Sequence, residues 1–285
     1  MASTLSDQDG EIRPVVLLGA SGRLGRMLRG LWPGATPPVA QARGAGAGEV
    51  TLDPLADPGG TVAALDGAGT VICLWGVTPA RAAREGCALS LNVELARAAL
   101  DAAPAAGAGR VLLASSAAVY GAAEGPLRED AACQPASDYG RAKLEMEALA
   151  ARHPHPATCL RIGNVAGADA ILGGWRAGMA LDTLADGRTP RRSYIGPASL
   201  ARVMHALCGH DDLPDTLNVA APGTVEMGAL LDAAGLAWAP RPAGPDTIAE
   251  VALDTARLER LTAFAPEEGT PEGIVAQWRA HESRP

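Results

Sequence analysis

An α/β fold built on a doubly wound parallel sheet is the class this sequence predicts, and two observations predict it. Short apolar runs alternate with helix-period patterns through the first half of the chain. The first run, Val15-Val16-Leu17-Leu18, passes directly into Gly19-Ala20-Ser21-Gly22-Arg23-Leu24-Gly25, which opens a helical pattern from Leu24 to Leu31. A glycine-rich turn between a strand and a helix is what a Rossmann-type dinucleotide site requires, because its backbone N–H groups and the helix N-terminus approach a pyrophosphate. The 285 residues suit one large α/β domain with a smaller appendage.

The elements follow in order. Strands are expected at Val15–Leu18, Val39–Ala42, Val50–Leu52, Val71–Leu74, Val111–Ala114 and Ala157–Arg161. A short helical piece surrounds Val62–Leu65. One long helix is expected from Arg81 to Ala103, where Leu89, Val93, Ala96 and Leu100 recur at helical spacing. Ser137 is placed to cap a helix carrying Tyr139 and Lys143. Beyond Asn164, abundant Ala, Gly and Pro blur the punctuation. Helices are read near Ser199–Cys208, Val225–Ala234, Asp254–Leu261 and Pro271–Ala280, with short strands near Ser193–Ile195 and Leu217–Val219. Residues 1–12 read as a flexible polar tail, 13–164 as the nucleotide-binding domain and 165–285 mainly as a substrate-binding part, with segments near 193–219 returning to the sheet.

Composition narrows the class of partner. The formal net charge is −8 and the arginines are scattered, which argues against nucleic acid or an anionic membrane, both of which need a clustered basic face. No apolar stretch is long enough to span a bilayer and residues 1–12 lack a hydrophobic signal core, so a soluble, cytoplasmic protein is expected. Cys73, Cys87, Cys133, Cys159 and Cys208 are dispersed, odd in number and without a C-x-x-C pair. They are expected to be buried free thiols, with no disulfide framework and no metal site.

The chemistry lies in four places. Gly19, Ser21, Gly22, Arg23, Leu24 and Gly25 form the candidate phosphate loop. The acid expected at the end of the next strand for NAD ribose is missing; Ala40-Gln41-Ala42-Arg43 stands there. Arg43, with Arg23 in the loop, would instead suit a 2′-phosphate, so NADP is expected ahead of NAD, unless both arginines are ordinary solvated side chains. Ser115 and Ser116 end the Val111–Ala114 strand, where ligands gather in open parallel sheets. Tyr139 and Lys143, four apart, project from one helix face, where an ammonium stabilises a phenolate. Together these residues point to dinucleotide binding coupled to proton transfer at a carbon bearing oxygen.

With these residues in view, the chain resembles the extended short-chain dehydrogenase/reductase superfamily, of the NAD-dependent epimerase/dehydratase type. The resemblance covers nearly the whole chain: the glycine loop, Asp53, Asn92, Ser115-Ser116 with Val119-Tyr120-Gly121, Tyr139-Gly140-Arg141-Ala142-Lys143, Leu160-Arg161-Ile162-Gly163-Asn164-Val165, and Leu217-Asn218-Val219 with Thr224-Val225. It implies a Rossmann-type doubly wound parallel sheet with a smaller C-terminal substrate-binding part. It further implies that Tyr139 is the general acid/base, that Lys143 lowers its pKa and binds the nicotinamide ribose, and that Ser116 holds the reacting oxygen, with Ser115 as a backup. Asp53 would lie near the adenine, or else form a turn before Pro54. Asn92 would order the active site, or else be an exposed helical residue. Leu74 and Ser115 complete the expected cofactor contacts, and Asn164 would open the substrate site. Tyr139 would take the hydroxyl proton as hydride leaves the same carbon for the cofactor.

Departures from the family carry information. Members that eliminate water often place an Asp-Glu pair after the strand-end hydroxyl, and here Ala117 and Ala118 occupy those positions, which disfavours a dehydratase of that kind. The region after Asn164 is trimmed, so a substrate smaller than a full nucleotide sugar is compatible with it. Trp175, Arg176, Arg188, Arg191, Arg192 and Tyr194 fall where substrate contacts are sought; arginines there would grip a phosphate or carboxylate, or be surface residues. Cys133, His153 and His155 are not expected to take part. The expectation is an NAD(P)-dependent oxidoreductase or epimerase acting on a hydroxyl or keto carbon of a sugar, nucleotide sugar or similar polar molecule. The competing reading is a non-catalytic NAD(P)-sensing regulatory protein. The helices of Leu89–Leu100 and Tyr139 resemble the pair through which family members dimerise, so a homodimer is expected.

Overall fold

The computed structural model describes residues 13–43, 49–123 and 125–283; the tail expected over 1–12 lies outside them. Seven parallel strands form the central sheet: β1 (Val15–Leu18), β2 (Val39–Ala42), β3 (Glu49–Thr51), β4 (Thr70–Cys73), β5 (Arg110–Ser116), β6 (Ala157–Ile162) and β7 (Thr216–Val219), in the spatial order β7-β6-β5-β4-β1-β2-β3. This is the Rossmann-type α/β architecture that the sequence pattern predicts. Their interiors are apolar and buried, with Leu17, Ile72, Leu112 and Leu113 fully enclosed. A parallel strand covered on both faces requires this, and each such side chain contributes about 1.5–3 kcal/mol on burial.

Helices cover both faces. On one side α1 (Arg23–Leu31) packs with α6 (Pro197–Cys208). On the other lie α2 (Pro58–Ala64), α4 (Leu91–Ala105) and α5 (Asp138–Ala150), preceded by the short α3 (Pro79–Glu85). Proline marks several starts: Pro58, Pro79, Pro197 and Pro271 all sit in the first turn of a helix, where the missing N–H costs nothing and the fixed φ fits. The long helix expected over Arg81–Ala103 is two helices. Gly86 turns left-handed at φ 65° to end α3, and α4 begins only at Leu91.

The region after Asn164 adds small sheets the sequence did not announce. Asn164–Val165 pairs with Tyr194–Ile195, Ala180–Thr183 pairs with Ala239–Pro242, and Val225–Glu226, Arg191–Arg192, Glu250–Leu253 and Pro126–Leu127 form a four-stranded sheet. The helix expected from Val225 therefore starts at Met227, as α7 (Met227–Ala233), followed by α8 (Ala256–Glu259) and α9 (Pro271–Glu282). An apolar cluster of Ile171, Leu172, Leu181, Leu230, Leu231, Ile274 and Val275 binds α7 and α9 to this part. Cys73, Cys159 and Cys208 are buried as expected, whereas Cys87 and Cys133 are only partly so, because each lies in a loop. Among the described residues no helix is long and apolar enough to cross a membrane.

The strand order reverses between β1 and β4, which opens a crevice at their carboxyl ends. The turn after β1 is tight there: Gly19 has φ +81°, and a Cβ on Gly25 would come within 2.4 Å of the Gly19 carbonyl oxygen. Gly25→Ala should therefore destabilise the protein by about 2–3 kcal/mol, measured as a lower urea midpoint at unchanged slope.

Candidate active site

The crevice is walled by the glycine loop after β1, the Leu74–Val77 segment after β4 and the end of β5. Helix α1 has Gly22 at its N-cap with no side-chain cap and no acid in its first turn. The Arg23, Leu24 and Gly25 amides thus lack an intrahelical acceptor and face a position where an anion is favoured. A Cβ on Gly19 would stand 3.1 Å from the Leu74 carbonyl carbon, so this glycine lets the loop close against β4. The loop is fastened from behind by Gln41, which is buried. Its Oε1 accepts from Gly19 N at 3.2 Å and from Trp75 Nε1 at 2.7 Å, while its Nε2 donates to Leu52 O at 2.9 Å. One amide thereby ties the ends of β1, β3 and β4 together. Sequence reasoning misses Gln41 as a site-forming residue; its signal is a polar side chain inside an apolar strand.

Other expected cofactor residues divide. Ser21 is exposed on the loop, and its carbonyl accepts from Arg26. Leu74 donates its amide to Leu18 O at 3.0 Å and shapes the floor beside Gly19. Arg43 is exposed at the end of β2. Arg23 is committed elsewhere, since its guanidinium donates to Ala168 O at 3.1 Å. Asp53 does what a turn-former does, accepting from Leu55 N at 3.1 Å while its own carbonyl accepts from Ala56 and Asp57.

Asn92 is fully buried rather than an exposed helical residue. Its amide donates to Val77 O at 3.0 Å and Leu89 O at 2.8 Å and accepts from Val77 N at 3.1 Å, clamping the segment after β4 to α4. That segment lies close over Lys143, because a Cβ on Gly76 would be 3.4 Å from Lys143 Nζ.

Ser137 caps α5 by accepting from Gly140 N at 3.1 Å, as its position predicts. The helix therefore starts where Tyr139 and Lys143 both face β5. Ser116 Oγ accepts from Ala118 N at 3.2 Å, which leaves its own proton to bond Tyr139. Lys143 is buried; its Nζ donates to Ala114 O at 2.7 Å and stands 5.9 Å from the centre of the Tyr139 ring. Burial pushes the Tyr139 phenol up, with the Ser116 hydrogen bond pulling the other way. Burial also lowers Lys143 to about 8, with the Glu147 carboxylate and the nearby Cys73 and Cys159 thiols opposing it. Ser115, expected as a backup, is turned away: its buried hydroxyl donates to Glu147. Successive residues of a strand point to opposite faces, so only one of the pair reaches the crevice.

Of the expected substrate residues, Asn164 lies two residues beyond β6, in the short strand paired with Tyr194–Ile195, and hydrogen-bonds the Tyr194 hydroxyl, which also donates to Asp169 at 2.8 Å. Trp175 packs in the C-terminal apolar cluster and donates to Ala237 O at 3.1 Å. Arg176 is exposed. Arg188 pairs with Asp186, and Arg191 with Glu226 and Glu250. Arg192 is half-buried and, among the described residues, donates to the carbonyls Arg191 O at 2.7 Å and Ile248 O at 2.9 Å; burial lowers its pKa. His153 pairs with Asp101, and Cys133 sits in the loop before α5.

The depressed Lys143 sets a stability test. The unfolded chain keeps this proton up to the ordinary 10.5 while the folded chain releases it from about 8, so its contribution to stability rises with pH across that window. Lys143→Met should stabilise the protein by about 1–3 kcal/mol at pH 7. Urea unfolding should show that gain shrinking toward pH 10.5.

Over 69 residues, the chain is 46% identical to a UDP-glucose 4-epimerase of Azospirillum brasilense, a match spanning 22% of this chain and 20% of that protein. Its fold is similar to that of TunA, described as an NAD-dependent NDP-hexosamine 5,6-dehydratase involved in tunicamycin biosynthesis, with a TM-score of 0.74, 20% identity and coverage of 96% of this chain and 99% of that one. It is likewise similar to the Thermus thermophilus UDP-glucose 4-epimerase solved with NAD, with a TM-score of 0.71, 20% identity and coverage of 95% and 100%. At these identities the likeness of structures establishes the fold. The family model for NAD dependent epimerase/dehydratase matches residues 15–220, well over half of the sequence, from β1 to the last central strand. The chain belongs to the NAD dependent epimerase/dehydratase family.

Proposed function

We propose that this enzyme moves hydride between a nicotinamide dinucleotide and a hydroxyl or keto carbon of a sugar, nucleotide sugar or similar polar substrate, as an oxidoreductase or epimerase. The observation that carries the reading is Tyr139, which bonds Ser116 at the end of β5 and has Lys143 Nζ 5.9 Å from its ring centre, with Lys143 itself bonded to Ala114 O of β5. A sensor that only binds nucleotide has no need of an acid/base pair.

The loop residues fit a dinucleotide. Gly19, Gly22 and Gly25 would admit a pyrophosphate to the α1 amides, and the Leu74–Val77 segment would flank the nicotinamide end. When bound, that nicotinamide supplies the hydride acceptor or donor and, in its oxidised form, a positive charge. Tyr139 would move the proton at the substrate oxygen, Ser116 would hold that oxygen in line, and Lys143 would stabilise the phenolate and hold the ribose. Burial alone favours a neutral phenol and a weakened ammonium. The phenolate thus depends on the added positive charge of the oxidised cofactor, which links proton transfer to the presence of the hydride acceptor.

Elimination is disfavoured because Ala117 and Ala118 offer no acid or base beside Ser116. We assign NAD as the cofactor: Arg23 is held by Ala168, which leaves Arg43 alone to favour a 2′-phosphate. The residues after 165 would bind the substrate, with Asn164 at its mouth and Arg192 nearby. A homodimer through α4 and α5 belongs to the same proposal, although Ala96, Ala99, Leu100, Met146 and Leu149 of those helices face the sheet core. Sedimentation as a monomer at micromolar concentration would refute it.

Purified protein should retain or bind NAD more tightly than NADP by titration, and should interconvert or oxidise at least one member of a panel of UDP-glucose, UDP-galactose and smaller sugar phosphates. Tyr139→Phe should lose about 10²–10⁴-fold in turnover while binding NAD within about twofold of the parent. Unchanged turnover in Tyr139→Phe would sink the assignment.

A further inference from the structure

Beneath Ser116 lies a buried polar network that the proposed chemistry does not use. Arg161 of β6 meets Glu147 of α5 in a bidentate pair, with Nε at 3.1 Å from both carboxylate oxygens and Nη2 at 2.7 Å from Oε2. Both side chains are 7% exposed. Glu147 also accepts from Ser115 of β5. The second arm of Arg161 donates to the Tyr120 hydroxyl at 2.9 Å and to Glu129 O at 3.0 Å, and its guanidinium lies 4.8 Å from the centre of the Tyr120 ring. Tyr120 in turn donates to Asn218 of β7 at 2.8 Å and closes the short turn Ala117–Val119 that follows Ser116. Burial works against the Arg161 charge, yet the Glu147 partner holds its pKa above the ordinary arginine value.

Every arm of this network touches something that sets the site. Ser116 belongs to β5 and its turn, whereas Tyr139 and Lys143 belong to α5, so their contact depends on how strand and helix are held together. Glu147 is one turn beyond Lys143 on the same face. Through Ser115 it grips the residue next to Ser116, and through Arg161 and Tyr120 it grips the turn after it. The fit is close: a Cβ on Gly140 would come within 2.4 Å of Ala118 O. A buried ion pair gains little net stability over apolar side chains of the same volume, but bidentate geometry fixes both distance and direction.

The geometry points to Glu147 and Arg161 as positioning residues that hold the Ser116 turn and the Tyr139 helix in register for proton transfer. This rests on the function proposed above, and its test needs no substrate. The chain has three tyrosines. Burial raises all three phenols, Tyr120 to about 12 and Tyr194 well above its ordinary value, so the Tyr139 step is identified as the one that Tyr139→Phe loses. The charged and titratable groups around Lys143 are Cys73 of β4, Cys159 of β6 and Glu147 of its own helix, and none but Glu147 is altered.

The variant is Glu147→Met with Arg161→Met, which removes one charge of each sign and keeps the volume. In complex with NAD it should melt within about 5 °C of the parent and bind NAD within about twofold. Its Tyr139 phenolate step should move upward by about half a pH unit or more as the Ser116 hydrogen bond loosens, and any turnover measurable in the parent should fall about 100-fold. A folded variant with the phenolate step of the parent overturns the proposal. If the double variant does not fold, Ser115→Ala decides the matter, because it removes only the tie between Glu147 and β5: an upward step supports positioning and an unmoved step overturns it. Failure to find turnover with any sugar substrate would sink the proposed function and leave this titration standing.

Discussion

The bidentate contact of Arg161 with Glu147 is where the two halves of the chemistry-bearing framework meet, and most of the structure around it follows from satisfying it. Two opposite charges buried together must be hydrogen-bonded at every remaining lone pair and proton or the desolvation cost goes uncompensated. Ser115, Tyr120 and the Glu129 carbonyl supply those bonds. Tyr120 is held in turn by Asn218, whose amide donates to Leu127 O at 2.8 Å and Asp254 O at 3.0 Å. One constraint thus binds β5, β6, β7 and α5 to the loops that approach from the C-terminal part.

The opposite wall of the crevice is governed by a neutral group. Gln41 turns the ends of β1, β3 and β4 into one surface, and the loop it secures is free to present amides because its own side chains are small. On the proposed function, the two walls differ in kind for a physical reason. A cradle for an anion is best made of backbone dipoles, which need glycine and a rigid support, whereas a proton-transfer site needs side chains whose ionisation the surroundings can tune. Burial raises Tyr139 and depresses Lys143, so the folded protein disfavours the charged form of each. Of the two, Lys143 gives up stability near neutral pH, and that cost fits the proposed reaction, in which a cationic nicotinamide supplies the charge that favours the phenolate.

The C-terminal part puts most of its arginines to structural use. Arg188 and Arg191 neutralise nearby carboxylates, Arg202 pairs with Glu268, and Arg241 with Asp182. Arg192 differs: among the described residues it donates to carbonyls while half-buried near Asn164 and Tyr194. Scattered arginines in a sequence cannot be sorted this way, since the distinction rests on which carboxylates the small sheets bring alongside.

Local chemistry determined a great deal. Apolar runs marked the central strands within about two residues, the Gly19–Gly25 turn marked the crevice, and Ser137 marked the start of the helix that carries Tyr139 and Lys143. These features are written in contiguous residues, because strand burial, tight turns and helix caps are set by near neighbours. The sequence by itself also determined the resemblance that the family match bears out. Tertiary structure decided what contiguous residues cannot express. It split the expected Arg81–Ala103 helix at Gly86, turned Ser115 toward Glu147 and Ser116 toward Tyr139, tied Arg23 to Ala168, and made Gln41 and Arg161 the hubs of buried hydrogen-bond networks. In each case but the split helix the deciding partner lies on another strand, helix or loop, and a hydrogen bond between distant elements exists only once the fold has brought its donor and acceptor within about 3 Å.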